Sequence, residues 1–66
     1  MPHIAISMYP GRSREVKEAL ASRMRDILAE QMGLDQQIVT VSVGDVERDR
    51  WADAMKKIPE DEWFIR

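Results

Sequence analysis

Apolar residues alternate with small or polar ones along "HIAISMY". Ile4, Ile6 and Met8 point to one side of an extended chain, and His3, Ala5, Ser7 and Tyr9 to the other, which is the period of a strand. "PGRS" ends the alternation with two strong turn formers. From Ser13 the spacing becomes helical: Val16, Leu20, Met24, Ile27 and Leu28 form an apolar stripe, with Arg14, Lys17, Glu18, Arg25 and Asp26 directed outward. Ser13 is a suitable N-cap and Glu15 suits the positive end of the helix dipole. Gly33 supplies a left-handed C-cap with Leu34 behind it. The pattern predicts a helix over Ser13–Met32. Alternation returns in "DQQIVTVSVGDV", where Val39, Val41 and Val43 line one face and Ile38, Thr40 and Ser42 the other. Both faces of this second strand read as at least half-buried.

Strand, long helix and strand make a βαβ unit of the α+β class, with parallel strands and a right-handed crossover. Trp51, Ala54, Met55 and Ile58 then fit a short helix that Pro59 stops. The aromatic tail "DEWFIR" reads as a short strand or as an arm lying on a neighbouring subunit. No repeat, linker or low-complexity stretch divides residues 1–66, which are expected to form a single domain.

Length changes this picture. A chain of 66 residues buries only about 60% of the surface that its unfolded form exposes, and two strands with one long helix leave open edges. Small folds are supported by disulfides, a metal or self-association. The chain has no cysteine and one histidine, which leaves no disulfide, thiolate site or histidine-rich metal centre. Self-association remains, and a homo-oligomer is expected, either a homodimer or a hexamer. Ten basic residues stand against 12 acidic ones, interspersed, for a net charge of −2. No basic stripe is available for a phosphate backbone, so nucleic acid is not an expected partner. No apolar run approaches the roughly 20 residues of a membrane span, and no charged-apolar-small leader is present. The reading is a soluble, cytoplasmic protein that needs neither membrane nor cofactor.

Candidate chemistry is sparse. Pro2 is the one residue whose free amino-terminal nitrogen is a secondary amine. Burial in an apolar pocket and cationic neighbours lower the basicity of such an amine towards the range useful for proton abstraction beside a carbonyl. With Met1 in place the same nitrogen is a tertiary amide without a basic lone pair. Arg12, in the turn after the first strand, can hold a carboxylate with two parallel hydrogen bonds. Trp51 can wall a pocket for a flat substrate, or serve as core or interface. His3 has no cysteine and no specifically placed serine to pair with, and reads as a satisfied or exposed histidine. Met8, Met24, Met32 and Met55 read as core filling.

The run "MPHIAISMYPGRSREVKEALASRM", with the βαβ unit and the short length, resembles the 4-oxalocrotonate tautomerase family over roughly residues 2–51. The resemblance implies an assembly of βαβ units into dimers, trimers or hexamers. It also implies a catalytic role for Pro2, which shuttles a proton between the oxygen and carbon ends of an enol. Arg12 falls on the family's carboxylate-binding arginine, and Trp51 on a pocket aromatic. The family's second arginine, in the second strand, falls on Thr40. A threonine hydroxyl offers only a neutral hydrogen bond, so Thr40 is the expected substrate-binding residue at that point, with Arg48 or Arg50 as candidate replacements for the charge. The stretch "VERDRWADAM" looks like the dimeric, arylenolpyruvate-type branch.

The resemblance thus implies an isomerase acting on a small enol or keto acid. Its 2-hydroxy-acrylate substrate is phenylenolpyruvate-like or 2-hydroxymuconate-like, with a monocarboxylate bearing a flat apolar tail favoured by the single aligned arginine. Two other readings stay open. One is a 3-haloacrylate dehalogenase or hydratase, with Glu47 or Asp45 activating water. The other is a non-catalytic oligomeric binding module.

Overall fold

The computed structural model describes every residue from Met1 to Arg66. Strand β1 (His3–Met8), helix α1 (Arg14–Met32), strand β2 (Thr40–Asp45) and helix α2 (Arg48–Lys56) follow in that order, with 3-10 turns at Gln36–Ile38 and Glu60–Glu62. The strands pair in parallel with one-to-one register, from His3 opposite Thr40 to Met8 opposite Asp45. The ladder continues past both ends. The Thr40 N–H donates to the Pro2 carbonyl at 3.2 Å, and the Val46 N–H to the Met8 carbonyl at 2.8 Å.

Local chemistry sets the ends of α1. The Ser13 hydroxyl accepts from the Val16 N–H at 3.2 Å, satisfying one orphan donor of the first turn. At the other end Gly33 adopts φ 66°, the left-handed region. Its N–H reaches the Glu30 carbonyl at 3.3 Å while the Leu34 N–H reaches that of Ala29 at 2.9 Å. This is the paired bond pattern of a Schellman cap. The helix packs chiefly over β2, and Lys17 Nζ meets Asp45 at 2.7 Å, tying its first turns to the carboxyl end of that strand.

The hydrophobic interior is small: only Ala29 and Val39 are buried. Ile4, Ile6, Met8, Val41 and Val43 are half-buried on the helix side of the sheet, against a seam of Leu20, Ala21, Met24, Leu28 and Ala29. Lys17 and Arg25 are half-buried at the same spacing, where their aliphatic stems extend the seam. The seam is rotated from the predicted stripe. Val16 is 52% exposed and Ile27 56%, because both lie on the edge of the apolar arc that faces away from β2. Met32 is also exposed, beyond the reach of the sheet.

The opposite sheet face, made by His3, Ala5, Ser7, Thr40 and Ser42, is open. Within one chain, β2 is therefore covered on one side rather than half-buried on both. It also begins later than its alternation predicts, since the Asp35 carboxylate accepts from the Gln37 N–H at 2.9 Å and caps the 3-10 turn that precedes it. At the carboxyl end, α2 starts at Arg48 and stops at Lys56, leaving Ile58 outside it. "DEWFIR" forms no strand: Arg66 turns back to Glu60 at 3.0 Å and lies over the Trp63 ring at 4.6 Å. Phe64 and Ile65 remain about nine-tenths exposed. No helix is long and apolar enough to cross a membrane.

The caps of α1 give a direct stability prediction. A Cβ added at Gly33 meets nothing within 4 Å, so Gly33→Ala carries only the left-handed backbone penalty of about 1 kcal/mol. Ser13→Ala loses the cap bond at a similar cost of about 1 kcal/mol. Urea unfolding at one fixed protein concentration should show both midpoints lowered; an unchanged pair would refute this account of the helix ends.

Candidate active site

The parallel pairing puts the segments that follow β1 and β2 side by side. After β1 come Tyr9, Pro10, Gly11 and Arg12, with Gly11 at φ 124° bending the chain towards α1. After β2 come Val46, Glu47 and the first turns of α2. The Tyr9 and Trp51 rings meet edge to face, with centroids 5.0 Å apart and planes at 75°, a favourable geometry for two aromatic quadrupoles. The Arg48 guanidinium lies 5.1 Å from the Tyr9 centroid, within cation–π range.

Two grooves adjoin at this end of the sheet. One, of about 430 Å³, is lined by Ser7, Met8, Tyr9, Arg12 and Trp51. The other, of about 530 Å³, is lined by Tyr9, Pro10, Arg12, Glu47, Arg48 and Asp49. Tyr9 and Arg12 belong to both, so Arg12 sits at the junction of an apolar arm and a polar one. The cations engaged in ion pairs are Arg14, Lys17, Arg25 and Arg66. Arg12 and Arg48 are not among them, although Glu47 and Asp49 line the same groove. By contrast, the cations of the groove between α1 and β2, Arg14 and Lys17, are already matched by Glu18 and Asp45.

The sequence candidates fall into two places. Arg12 and Trp51 share a groove at the carboxyl end of the sheet. Pro2 and Thr40 lie together at the amino end, joined by the backbone bond from Thr40 to Pro2. At about 3.3 Å per residue, β1 holds the two places on the order of 20 Å apart. Asp45 is paired with Lys17, whereas Glu47 forms no ion pair. No cluster of three or more His, Asp or Glu side chains is arranged to hold a metal.

Two features escape a linear reading. Tyr9 reads only as the last residue of a strand, yet it joins Trp51, Arg48 and Arg12. His3, for its part, does have a serine partner. Its Nδ1 and Thr40 Oγ1 share a hydrogen bond of 2.6 Å, and its Nε2 and Ser42 Oγ one of 3.0 Å. A neutral imidazole has one N–H, so one hydroxyl donates to the ring while the other accepts from it. The strand register is the missing signal, since it sets His3 beside Thr40 with Ser42 two residues on, on the same face.

Comparison with known proteins bears on this arrangement. No solved structure is significantly similar to the chain. A probable tautomerase of Xylella fastidiosa (strain 9a5c) is 39% identical over 51 residues, which cover 77% of this chain and 62% of that protein. The chain therefore spans less than two thirds of this relative. The family profile described as "Tautomerase enzyme" matches residues 2–58, from the proline ahead of β1 to the residue before Pro59. A match that runs through both strands, both helices and each candidate side chain makes this chain a member of the tautomerase family.

Proposed function

We propose that the chain catalyses enol–keto tautomerisation of a 2-hydroxy-acrylate, with Pro2 as the proton-transfer group. The observation that carries this reading is the pairing of an unneutralised Arg12 with Trp51 in one groove. An anion clamp beside a flat apolar wall suits a planar acid. Arg12 takes the carboxylate through two parallel hydrogen bonds, and Trp51 and Met8 receive the tail. Family membership supports the choice of reaction.

The proton accounting is simple. The Pro2 amine accepts the 2-hydroxyl proton, and the O–H electron pair becomes part of the new carbonyl. The C2=C3 electron pair then takes a proton at C3 from the prolinium. Nothing is oxidised or reduced, and the amine is regenerated. This chemistry requires removal of Met1, which a small second residue such as Pro2 permits. Thr40, whose N–H bonds the Pro2 carbonyl, offers a neutral hydroxyl at this end of the sheet, held by His3.

A substrate the size of phenylenolpyruvate cannot bridge the separation between Pro2 and Arg12 within one chain. The reading therefore includes self-association, in which Pro2 of one copy meets Arg12 and Trp51 of another. The open sheet face, both free strand edges and the exposure of Val16, Ile27, Phe64 and Ile65 support it.

Two measurements test this function. Protein whose intact mass shows Met1 removed should ketonise phenylenolpyruvate, followed by ultraviolet absorbance. Pro2→Ala should lower kcat/KM by at least about a hundredfold, the low end of what a positioned general base contributes. Comparable turnover by the mutant would sink the proline mechanism. Sedimentation velocity should show a dimer or larger species, with an unfolding temperature that rises with protein concentration. A stable monomer with full activity would remove the shared site.

A further inference from the structure

We propose that the bare sheet face is a self-association surface governed by the charge of His3: copies pair through it while the imidazole is neutral and separate when it takes up a proton. The face is formed by His3, Ala5 and Ser7 of β1 and by Thr40, Ser42 and Gly44 of β2. His3 is its one ionisable side chain. Asp45, the other ionisable residue of the paired strands, meets Lys17 of α1, the helix on the opposite side of the sheet. Half-buried Arg25 lies on that helix side too. Arg12, Glu47, Arg48 and Asp49 line the groove beyond the carboxyl end, on the order of 20 Å from His3 along β1. At the amino end the terminal amine precedes His3 in the chain.

A neutral His3 suits a buried contact. Its Nδ1 and Nε2 are hydrogen-bonded to Thr40 and Ser42 at 2.6 and 3.0 Å, so the ring brings no unpaired nitrogen into an interface. The charged ring differs. Both nitrogens then donate, both hydroxyls accept, and no ring N–H is left for a carboxylate. The cation has no counter-charge on its own face, and burying an unpaired charge is costly. A second copy supplies none, because a two-fold contact sets the same surface on both sides. Two uncharged faces match each other; two cationic ones do not. Antiparallel apposition, as the shared site requires, also turns His3 towards Arg12 and Arg48 of the other copy. Glu47 and Asp49 line that groove, but a ring with both N–H groups spent forms no hydrogen-bonded ion pair with them. The broad side of the plate, 37 × 32 Å, exceeds the roughly 800 Å² per partner of a stable complex. Protons thus bind separate copies more readily than paired ones. Association weakens as pH falls through the interval, roughly pH 8 to 5, in which histidines charge.

This inference rests on the self-association in the proposed function, not on its catalysis. Sedimentation velocity of the chain lacking Met1, at about pH 8 and about pH 5.5 and one ionic strength, tests it. The self-association Kd of the parent should rise at least about tenfold in acid. Protonating carboxylates brings the net charge of −2 towards zero, which by itself favours association, so dissociation in acid has the opposite sign. His3→Gln, neutral at both pH values with an amide that donates and accepts, should hold its Kd within about twofold. His3→Lys, charged at both, should associate weakly at both. Far-UV circular dichroism establishes that each variant keeps its helices. A parent that is monomeric or unchanged at both pH values, or a His3→Gln variant that dissociates in acid as the parent does, would overturn the assignment. So would a His3→Lys variant that assembles like the parent at about pH 8. If Pro2-dependent turnover is absent while His3-dependent dissociation persists, the tautomerase reading fails and this one stands. Pro2-dependent turnover in an assembly indifferent to His3 gives the reverse.

Discussion

Because β1 and β2 run parallel and in register from His3 and Thr40 to Met8 and Asp45, whatever follows one strand must meet whatever follows the other. The Tyr9–Arg12 turn and the start of α2 lie more than thirty residues apart in sequence, yet the ladder leaves them no other place. The bond from Val46 to the Met8 carbonyl carries the pairing one step beyond the strands. Lys17 and Asp45 then fix α1 to the same end. The contacts among Tyr9, Trp51 and Arg48 follow from this pairing rather than cause it. It also puts the grooves outside the carboxyl ends of parallel strands, where open α/β sheets commonly bind ligands.

The same unit is too small to close a core. Two buried residues in a chain with 44% hydrophobic content leave most of its apolar area with no partner inside the chain. One helix covers one sheet face, and no local rearrangement of 66 residues covers the other. The molecule measures 37 × 32 × 17 Å, a plate with one clothed and one bare side. That bare side is why self-association belongs to the functional proposal and not only to stability.

Local signals in the sequence translated well into structure. Ser13 and Gly33 bound α1 as their side-chain and backbone chemistry require, and the period-two runs are the strands. Where the reading of the helix face and of His3 failed, the deciding contact was distant in sequence. Val16 and Ile27 belong to the same apolar arc as Leu20 and Met24, and only the position of β2 decides which edge is covered. His3 acquired Thr40 and Ser42 through strand register, a relation across 37 and 39 residues. The pattern of Trp51, Ala54, Met55 and Ile58 marks the second helix without setting its start, and α2 begins at Arg48. Arg12 and Trp51 were legible as types of chemistry, whereas their shared groove was not.

The polar groups of the chain are divided between the two ends of the sheet, and the division constrains any mechanism. The amino end holds Pro2, the base of the proposed mechanism once Met1 is removed, with hydroxyls that His3 engages on both ring nitrogens; it has no side-chain cation to grip an acid. The carboxyl end holds Arg12 and Arg48, neither in an ion pair although Glu47 and Asp49 line the same groove, and an aromatic pair; it has no secondary amine. Substituting a charged side chain at Thr40 would join these roles within one end. With threonine there, anion recognition and proton transfer stay on the order of 20 Å apart along β1. In the self-association proposed above, antiparallel apposition of two copies would bring the amino end of each sheet to the carboxyl end of the other, through the face and edges that a single chain leaves bare. That proposal would cover the bare face and complete the site in a single step.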